Sequence, residues 1–132
     1  MKGISSKISR TLVPGAIIVC ADNSGARLLK VMSRIGKSGT KNRMPSVGIG
    51  DLVMANVKSG NPQYIKKRVR VVIIRQRQPI RRPDGMRVRF EDNAGIIVND
   101  ANLPVGTEVK GAMAREVVER YIKLASIASR VV

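Results

Sequence analysis

Residues 69–90, VRVVIIRQRQPIRRPDGMRVRF, decide which fold this 132-residue chain is predicted to adopt. The stretch opens with an apolar run at 69–74 that has the length and the β-branched composition of a buried strand. Pro83-Asp84-Gly85 follows and supplies a preset φ, a turn-favouring side chain and a residue free to adopt positive φ. The stretch therefore predicts a hairpin whose turn lies at these three residues.

The second arm of this hairpin, residues 86–90, alternates apolar with basic side chains. Successive side chains of a strand point to opposite faces. The residues expected to face the core are Met86, Val88 and Phe90. Arg87 and Arg89 are expected to face outward, so the arm is predicted to be half core and half binding surface.

Elsewhere in the chain, short apolar runs are separated by Gly, Pro, Asn and Asp. The six predicted strands span 16–21, 28–35, 52–57, 69–74, 86–90 and 95–98. Many short strands with little helix favour a small closed or partly closed barrel, because closure removes exposed sheet edges. Helical spacing occurs only at 114–125 and predicts one amphipathic helix. We expect a mainly β, single-domain chain over 1–132, with a barrel at about 12–110 and a short helical segment at about 111–132.

Positive charge is unevenly distributed along the chain. There are 25 Lys and Arg against 9 Asp and Glu, a formal net charge of +16. Residues 1–90 hold 20 bases and 3 acids, whereas residues 91–132 hold 5 bases and 6 acids. A small domain with such an excess repels itself unless a polyanion neutralises it. The bases therefore predict a phosphate-binding protein.

The densest basic run lies between positions 66 and 89, where eight of ten bases are Arg and Asp84 is the single acid. A solubilising surface would contain more acid, and the planar guanidinium fork suits bidentate phosphate contacts. The predicted RNA-binding residues of this run are Lys66, Lys67, Arg68, Arg70, Arg75, Arg77, Arg81, Arg82, Arg87 and Arg89.

A second basic segment, residues 36–50, is predicted to be a long exposed loop. Its predicted RNA-binding residues are Lys37, Lys41 and Arg43. The alternative is a purely structural connection between two strands. The three aromatic residues, Tyr64, Phe90 and Tyr121, are scattered, so no platform for stacking unpaired bases is expected. The mode of binding that remains is recognition of folded RNA through its shape and its phosphates.

Several other classes of site are excluded by counting residues. The chain has no histidine and one cysteine, so a disulfide framework, a Cys/His zinc site and a His-based acid/base pair cannot form. We expect no catalytic residue, metal or cofactor, and a reducing cytoplasm is the simplest location. No stretch approaches the roughly 20 apolar residues of a membrane span, so no membrane partner is expected.

Two short motifs have structural explanations. Gly36-Lys37-Ser38 is similar to the end of a phosphate-binding P-loop, but Val31 stands where that motif needs its first glycine. Asp22-Asn23-Ser24-Gly25 is predicted to be a tight turn in which Asp and Asn bond their own backbone and Gly25 adopts a strained φ. Cys20, just before it, is expected to be a small buried hydrophobe.

Three segments resemble one protein family. CADNSGAR at 20–27, GDLV at 50–53 and above all RRPDGMRVRFEDNAGIIV at 81–98 are similar to the universal large-subunit ribosomal protein L-fourteen family, and the likeness extends from about residue 14 to 132. Residues 74–77 and 39–43 resemble archaeal and eukaryotic members more than bacterial ones. Arg70 departs from the family, which commonly has a small residue there.

This resemblance implies a five-stranded barrel with short C-terminal helices, bound to large-subunit ribosomal RNA. It also implies contact with small-subunit ribosomal RNA in an intersubunit bridge, and contact with neighbouring ribosomal proteins including L-three. In the family the C-terminal part docks anti-association factors, and Arg115 lies where a matching arginine contributes to that docking.

The C-terminal residues 91–132 carry a net charge of −1, which favours a protein-binding role over an RNA-binding one. The stripe expected to pack on the barrel is Val117, Val118, Tyr121, Ile122 and Leu124, with a groove for a partner as the alternative. The outward residues predicted to bind a protein partner are Arg115, Glu116, Glu119, Arg120 and Lys123. The alternative function is a free-standing nucleic-acid-binding protein or RNA chaperone, for which a near-neutral C-terminal third would not be needed.

Overall fold

The computed structural model describes residues 8–36 and 44–132. In chain order, its strands are β1 (Ile17–Cys20), β2 (Ala26–Arg34), β3 (Leu52–Gly60), β4 (Arg68–Arg75), β5 (Ile80–Arg81), β6 (Arg87–Val88), β7 (Ala94–Val98), β8 (Val109–Met113) and β9 (Ala128–Val131). Helix α1 (Arg115–Arg120) and a 3-10 helix (Ile122–Ile127) lie between the last two strands. The predicted mainly β class is confirmed.

Five of these strands form a closed barrel in the order β1-β2-β3-β4-β7. Neighbouring strands are antiparallel except at the closure, where β1 and β7 run parallel and Val19 lies opposite Ala94. Closure pairs both edges of the sheet, as the prediction of a small barrel required. The five-stranded barrel with a short helical C-terminal segment is therefore confirmed.

Residues 71–74 of β4 and the whole of β7 are apolar on both faces because each face is covered. Val71 and Ile73 belong to the cluster that fills the barrel, together with Ile18, Leu29 and Val53. The alternate residues belong to a second cluster beneath the C-terminal segment: Val72, Ile74, Ile96, Val98, Val109, Met113, Val117 and Leu124. The uninterrupted apolar runs of these strands are thus explained by burial on two sides.

The barrel interior leaves little room at Gly95 in β7. A Cβ built there would lie 2.5 Å from Cγ1 of Val71 and 3.2 Å from Cδ1 of Ile18. The same region has a register shift, since Ile73 pairs with Gly95 but Arg75 pairs with Ala94. A side chain larger than hydrogen at position 95 would therefore force this strand pair apart.

The predicted hairpin exists, but it lies outside the barrel. Its arms are β5 and β6, and Ile80 pairs with Val88 while Arg81 pairs with Arg87. The prediction that residues 86–90 pair as an arm with the fourth strand was therefore wrong. Met86 was expected in the core but is 62% exposed, because its carbonyl accepts the Arg82 amide and it still belongs to the turn.

The predicted helix at 114–125 is interrupted. Tyr121 has φ −125° and ψ 83°, which ends α1 after six residues, and the chain continues as the 3-10 helix. Val117 and Leu124 pack in the core as expected, but Ile122 is 77% exposed because the break removes it from the apolar face. Sequence patterns also missed β8 and β9, which pair in parallel. Neither described helix has the length and apolar character of a membrane span.

Candidate nucleic-acid interface

The hairpin presents a cluster of arginines outside the barrel. Arg81 and Arg87 lie opposite each other in register, and Arg89 follows β6 directly. All three residues are exposed, and none of them forms an ion pair within the part of the chain that the structure describes. The turn is held as predicted, since Gly85 has φ 87° and the Met86 amide donates to Asp84 Oδ1 over 3.0 Å.

A groove beside the hairpin adds further bases. Arg77 and Arg89 line it together with Phe90 and Glu91. A second, adjoining groove is lined by Arg89 and by Arg130 of β9. Sequence reasoning missed Arg130, because it is an isolated base in the near-neutral third of the chain and only the pairing of β8 with β9 brings it here.

The basic run of residues 66–89 does not form one patch. Lys66, Lys67 and Arg68 are exposed at the start of β4, whereas Arg75 ends that strand. Eight strand residues with a rise of about 3.3 Å each separate the two ends by roughly 23 Å. The run is therefore divided between a patch at 66–68 and the hairpin patch.

Three of the predicted RNA ligands are engaged inside the protein. Arg75 Nε donates to Asp92 Oδ1 over 2.6 Å, and its Nη1 donates to the carbonyls of Lys110 and Ala112. Arg82 Nε donates to Glu116 Oε1 over 2.9 Å, and its Nη2 donates to the Val132 carbonyl over 2.6 Å.

The third of these ligands is Arg70. It pairs with Asp100 over 3.5 Å and with Asn102 over 3.1 Å. Because internal contacts occupy the guanidinium groups of Arg70, Arg75 and Arg82, these three residues are not expected to bind RNA.

The predicted protein-binding surface also needs a correction. The side chains of Glu116 and Arg82 are each only 9% exposed, so Glu116 faces inward and not outward. The helix of six residues places its second residue against the hairpin, which the helical spacing alone did not show. Arg115, Glu119 and Lys123 are exposed. Arg120 is exposed as well, but its Nη1 donates to the Gly50 carbonyl over 3.1 Å.

The predicted basic loop at 36–50 can be assessed only in part, because Lys37, Lys41 and Arg43 lie outside the described residues. Met44 is 67% exposed, but residues 47–51 are buried, and Val47 forms a bridge with Leu12. The prediction of an exposed loop was therefore wrong for its last residues, whose apolar side chains belong to the core.

The turn after β1 has the structural role that was predicted for it. Asp22 Oδ1 accepts bonds from the Ser24 amide and hydroxyl, and Gly25 has φ 111°. Asn23 differs from the prediction, because its Oδ1 accepts the Thr107 amide and not its own backbone. Cys20 is buried and donates to Asp22, and burial together with this carboxylate raises the pKa of the thiol to about 12.

Asp22 also fastens the turn to the barrel, since its Oδ2 accepts the Ile97 amide over 3.0 Å. Each carboxylate oxygen is thus used in holding the backbone. No group of His, Cys, Asp and Glu within residues 8–36 and 44–132 has the arrangement of a metal site.

Comparison with known proteins agrees with this architecture. The family model described as ribosomal protein L14p/L23e matches residues 11–132. The protein named Large ribosomal subunit protein uL14 is 50% identical in Halorubrum lacusprofundi, 51% in Methanothrix thermoacetophila and 48% in Haloarcula marismortui. In each case all 132 residues of this chain and the whole of the relative are covered.

These relatives are archaeal, which agrees with the predicted resemblance to archaeal and eukaryotic members over bacterial ones. The chain therefore belongs to the ribosomal protein L14p/L23e family and is a structural, non-enzymatic constituent of the large subunit of cytoplasmic ribosomes.

Proposed function

We propose that the chain binds large-subunit ribosomal RNA through phosphate contacts of its hairpin. The observation that carries this proposal is the exposed trio Arg81, Arg87 and Arg89 on a hairpin that is separate from the barrel sheet. Asp84 is the single acid between positions 66 and 89, so little within the arm neutralises these bases.

Phosphate contacts are favoured over base contacts. Phe90, the single phenylalanine, is 9% exposed and packs in the core, so the hairpin has no aromatic surface on which a base could stack. Guanidinium groups bind phosphate oxygens in pairs, and each phosphate neutralised releases counterions. The binding should therefore be strongly salt-dependent.

The experiment that tests this proposal measures RNA affinity against salt concentration. The double change Arg87→Ala and Arg89→Ala should lower the slope of log affinity against log salt by roughly two units, about one for each lost phosphate contact. The matched control is Arg27→Ala with Lys110→Ala, which removes two exposed charges that belong to no proposed binding surface. An unchanged slope in the hairpin variant, with wild-type binding intact, would contradict the assignment.

The remaining contacts follow from the family. We propose that Lys66, Lys67, Arg68 and Arg77 also bind large-subunit RNA, since all four are exposed. The basic residues Lys37, Lys41 and Arg43 are proposed to reach small-subunit RNA at an intersubunit bridge, as the resemblance implies. Shortening their loop should weaken subunit joining more than it weakens the isolated protein.

We also propose that the exposed side of α1 and the 3-10 helix binds proteins: an anti-association factor, and the neighbouring L-three protein. The support is the mixed charge of Arg115, Glu119 and Lys123, which suits a reversible contact set by complementary potentials. Glu116 is left out because it is committed to Arg82.

Reversing two of these charges, Arg115→Glu and Glu119→Lys, keeps the net charge of the chain constant. This variant should enter large subunits normally and bind the factor several-fold more weakly. Normal factor binding by such subunits would assign this surface to another role. Failure to enter the subunit would instead point to RNA contact or core packing.

A further inference from the structure

Asp51, just before β3, is a buried carboxylate surrounded by three arginines. Its side chain is 6% exposed, and Arg34 Nη2 lies 3.2 Å from its Oδ1. Arg120 Nη1 lies 3.7 Å from the same oxygen, and Arg10 Nε lies 3.8 Å from Oδ2. The three arginines come from the segment before β1, the end of β2 and the end of α1, so only the fold brings them together.

This cluster carries more positive charge than its carboxylate can neutralise. Three guanidinium groups face one Asp51, which leaves a local excess of two charges. The nitrogens of Arg34 and Arg120 lie 3.2 and 3.7 Å from one oxygen, so they are at most about 7 Å apart. Like charges held this close repel each other unless an anion binds between or beside them.

The geometry also shows which arginines are available to an anion. Asp51 Oδ2 accepts the Gly48 amide over 2.9 Å, and Oδ1 accepts the nearly buried Arg34, so the strong acceptor positions of Asp51 are taken. The side chains of Arg10 and Arg120 are 49% and 60% exposed and lie beyond hydrogen-bond distance of the carboxylate. Arg120 Nη1 also donates to the Gly50 carbonyl over 3.1 Å, but a guanidinium has five N–H donors, so Arg10 and Arg120 both keep donors for an outside ligand.

We propose that Arg10, Arg34 and Arg120 form a binding site for an RNA phosphate, held in place by Asp51. Arg10 and Arg120 contact the phosphate oxygens. Arg34 is a positioning residue that is nearly buried beside Asp51 and adds positive charge to the site. The site rests on the proposed RNA-binding function and extends it to a cluster remote in sequence from the basic run. It also reassigns Arg120 from the protein-binding surface to the RNA-binding one.

A phosphodiester fits this site better than an acidic protein side chain does. A phosphate group presents two unesterified oxygens, which two guanidinium forks can share, and it tolerates the nearby Asp51 because the net charge of the cluster remains positive. Asp51 meanwhile limits the repulsion among the arginines before RNA binds, so the site is organised in the free protein.

The test uses the full chain and protein-free large-subunit ribosomal RNA. Arg10→Ala with Arg120→Ala should lower the salt slope by roughly two units, so that the affinity lost between about 50 and 200 mM salt shrinks by roughly tenfold. Arg27→Ala with Lys110→Ala, which removes two exposed charges that belong to no proposed binding surface, should change the slope by less than about half a unit. Arg10→Lys with Arg120→Lys should keep the slope but weaken binding several-fold, because lysine lacks the fork.

Two outcomes overturn the site. The first is that Arg10→Ala with Arg120→Ala changes the salt slope no more than its control does, while Arg87→Ala with Arg89→Ala still lowers it. The hairpin would then keep its proposed function, and the Asp51 cluster would not be an RNA site. The second is normal RNA binding by the lysine variant. If the alanine variant is unstable in thermal unfolding, the lysine variant decides alone. If Arg87→Ala with Arg89→Ala left the salt slope unchanged, that result would instead count against the proposed RNA binding by the hairpin.

Discussion

Arg81 and Arg82 are neighbours in the chain, yet they contact different surroundings. Arg81 is exposed on β5 opposite Arg87, whereas Arg82 is 9% exposed and donates to Glu116 and to the Val132 carbonyl. Adjacent residues of an extended chain point to opposite sides, and here one side is solvent and the other is the C-terminal segment. The density of charge in a sequence therefore does not show which bases are free to bind a partner.

The same division holds along the whole basic run. Its internally bonded members are Arg70, Arg75 and Arg82. Its exposed members are Lys66, Lys67, Arg68, Arg77, Arg81, Arg87 and Arg89. Substitutions in the first group should act on the stability of the protein, and substitutions in the second group on RNA affinity.

The largest effect is expected for Arg82→Ala. The change leaves Glu116 buried without its cation, which costs about 3–5 kcal/mol for pairs of this kind. Chemical denaturation should show this loss, while Arg81→Ala, one residue away, should stay within about 0.5 kcal/mol of wild type. A double change of Arg82 and Glu116 to methionine should recover most of the stability. Equal stabilities for the Arg81→Ala and Arg82→Ala variants would contradict the distinction between exposed and internally bonded arginines.

A smaller loss is expected for Arg75→Ala. Arg75 bonds Asp92 and the carbonyls of Lys110 and Ala112, so it ties the end of β4 to β8. Asp92 is 38% exposed and regains water when the arginine is lost, so the expected cost is about 2 kcal/mol. In hydrogen exchange, the amides of β8 should lose protection before the amides of β1 and β2 do. Uniform loss of protection across the barrel would contradict a local tie.

The smallest effect on stability is expected for Arg70→Ala. Its partner Asp100 is fully exposed, and solvent screens such a pair strongly. Thermal unfolding should place this variant closest to wild type of the three. A loss as large as that of Arg82→Ala would show that the groove beside Val69 and Val98 depends on the arginine stem.

Much of the fold was predictable because local patterns and tertiary packing agree. Apolar runs located all five barrel strands, although β2 begins two residues earlier and β3 ends three residues later than predicted. The Asp22 turn and the buried Cys20 were predictable because their hydrogen bonds are largely local. The strands β5, β6, β8 and β9 are too short or too irregular in burial to show a period, so their pairing was missed or misplaced.

The candidate site was less predictable than the fold. Charge counts located the hairpin, but they could not separate Arg81 from Arg82, since both are arginines in one run. They also could not find the Asp51 cluster, whose arginines stand at positions 10, 34 and 120. Long-range juxtaposition depends on how the barrel closes and on where the C-terminal segment packs.

By itself the sequence determined the class of the protein: an aliphatic barrel, a large positive excess in residues 1–90 and motifs of a ribosomal family. Those properties follow from composition and short-range periodicity, which act before any long-range contact forms. Only the tertiary structure decided which charged side chains form internal ion pairs and which remain exposed for RNA. The reason is that burial and the positions of partners such as Glu116 and Asp51 are set by packing between segments far apart in the chain.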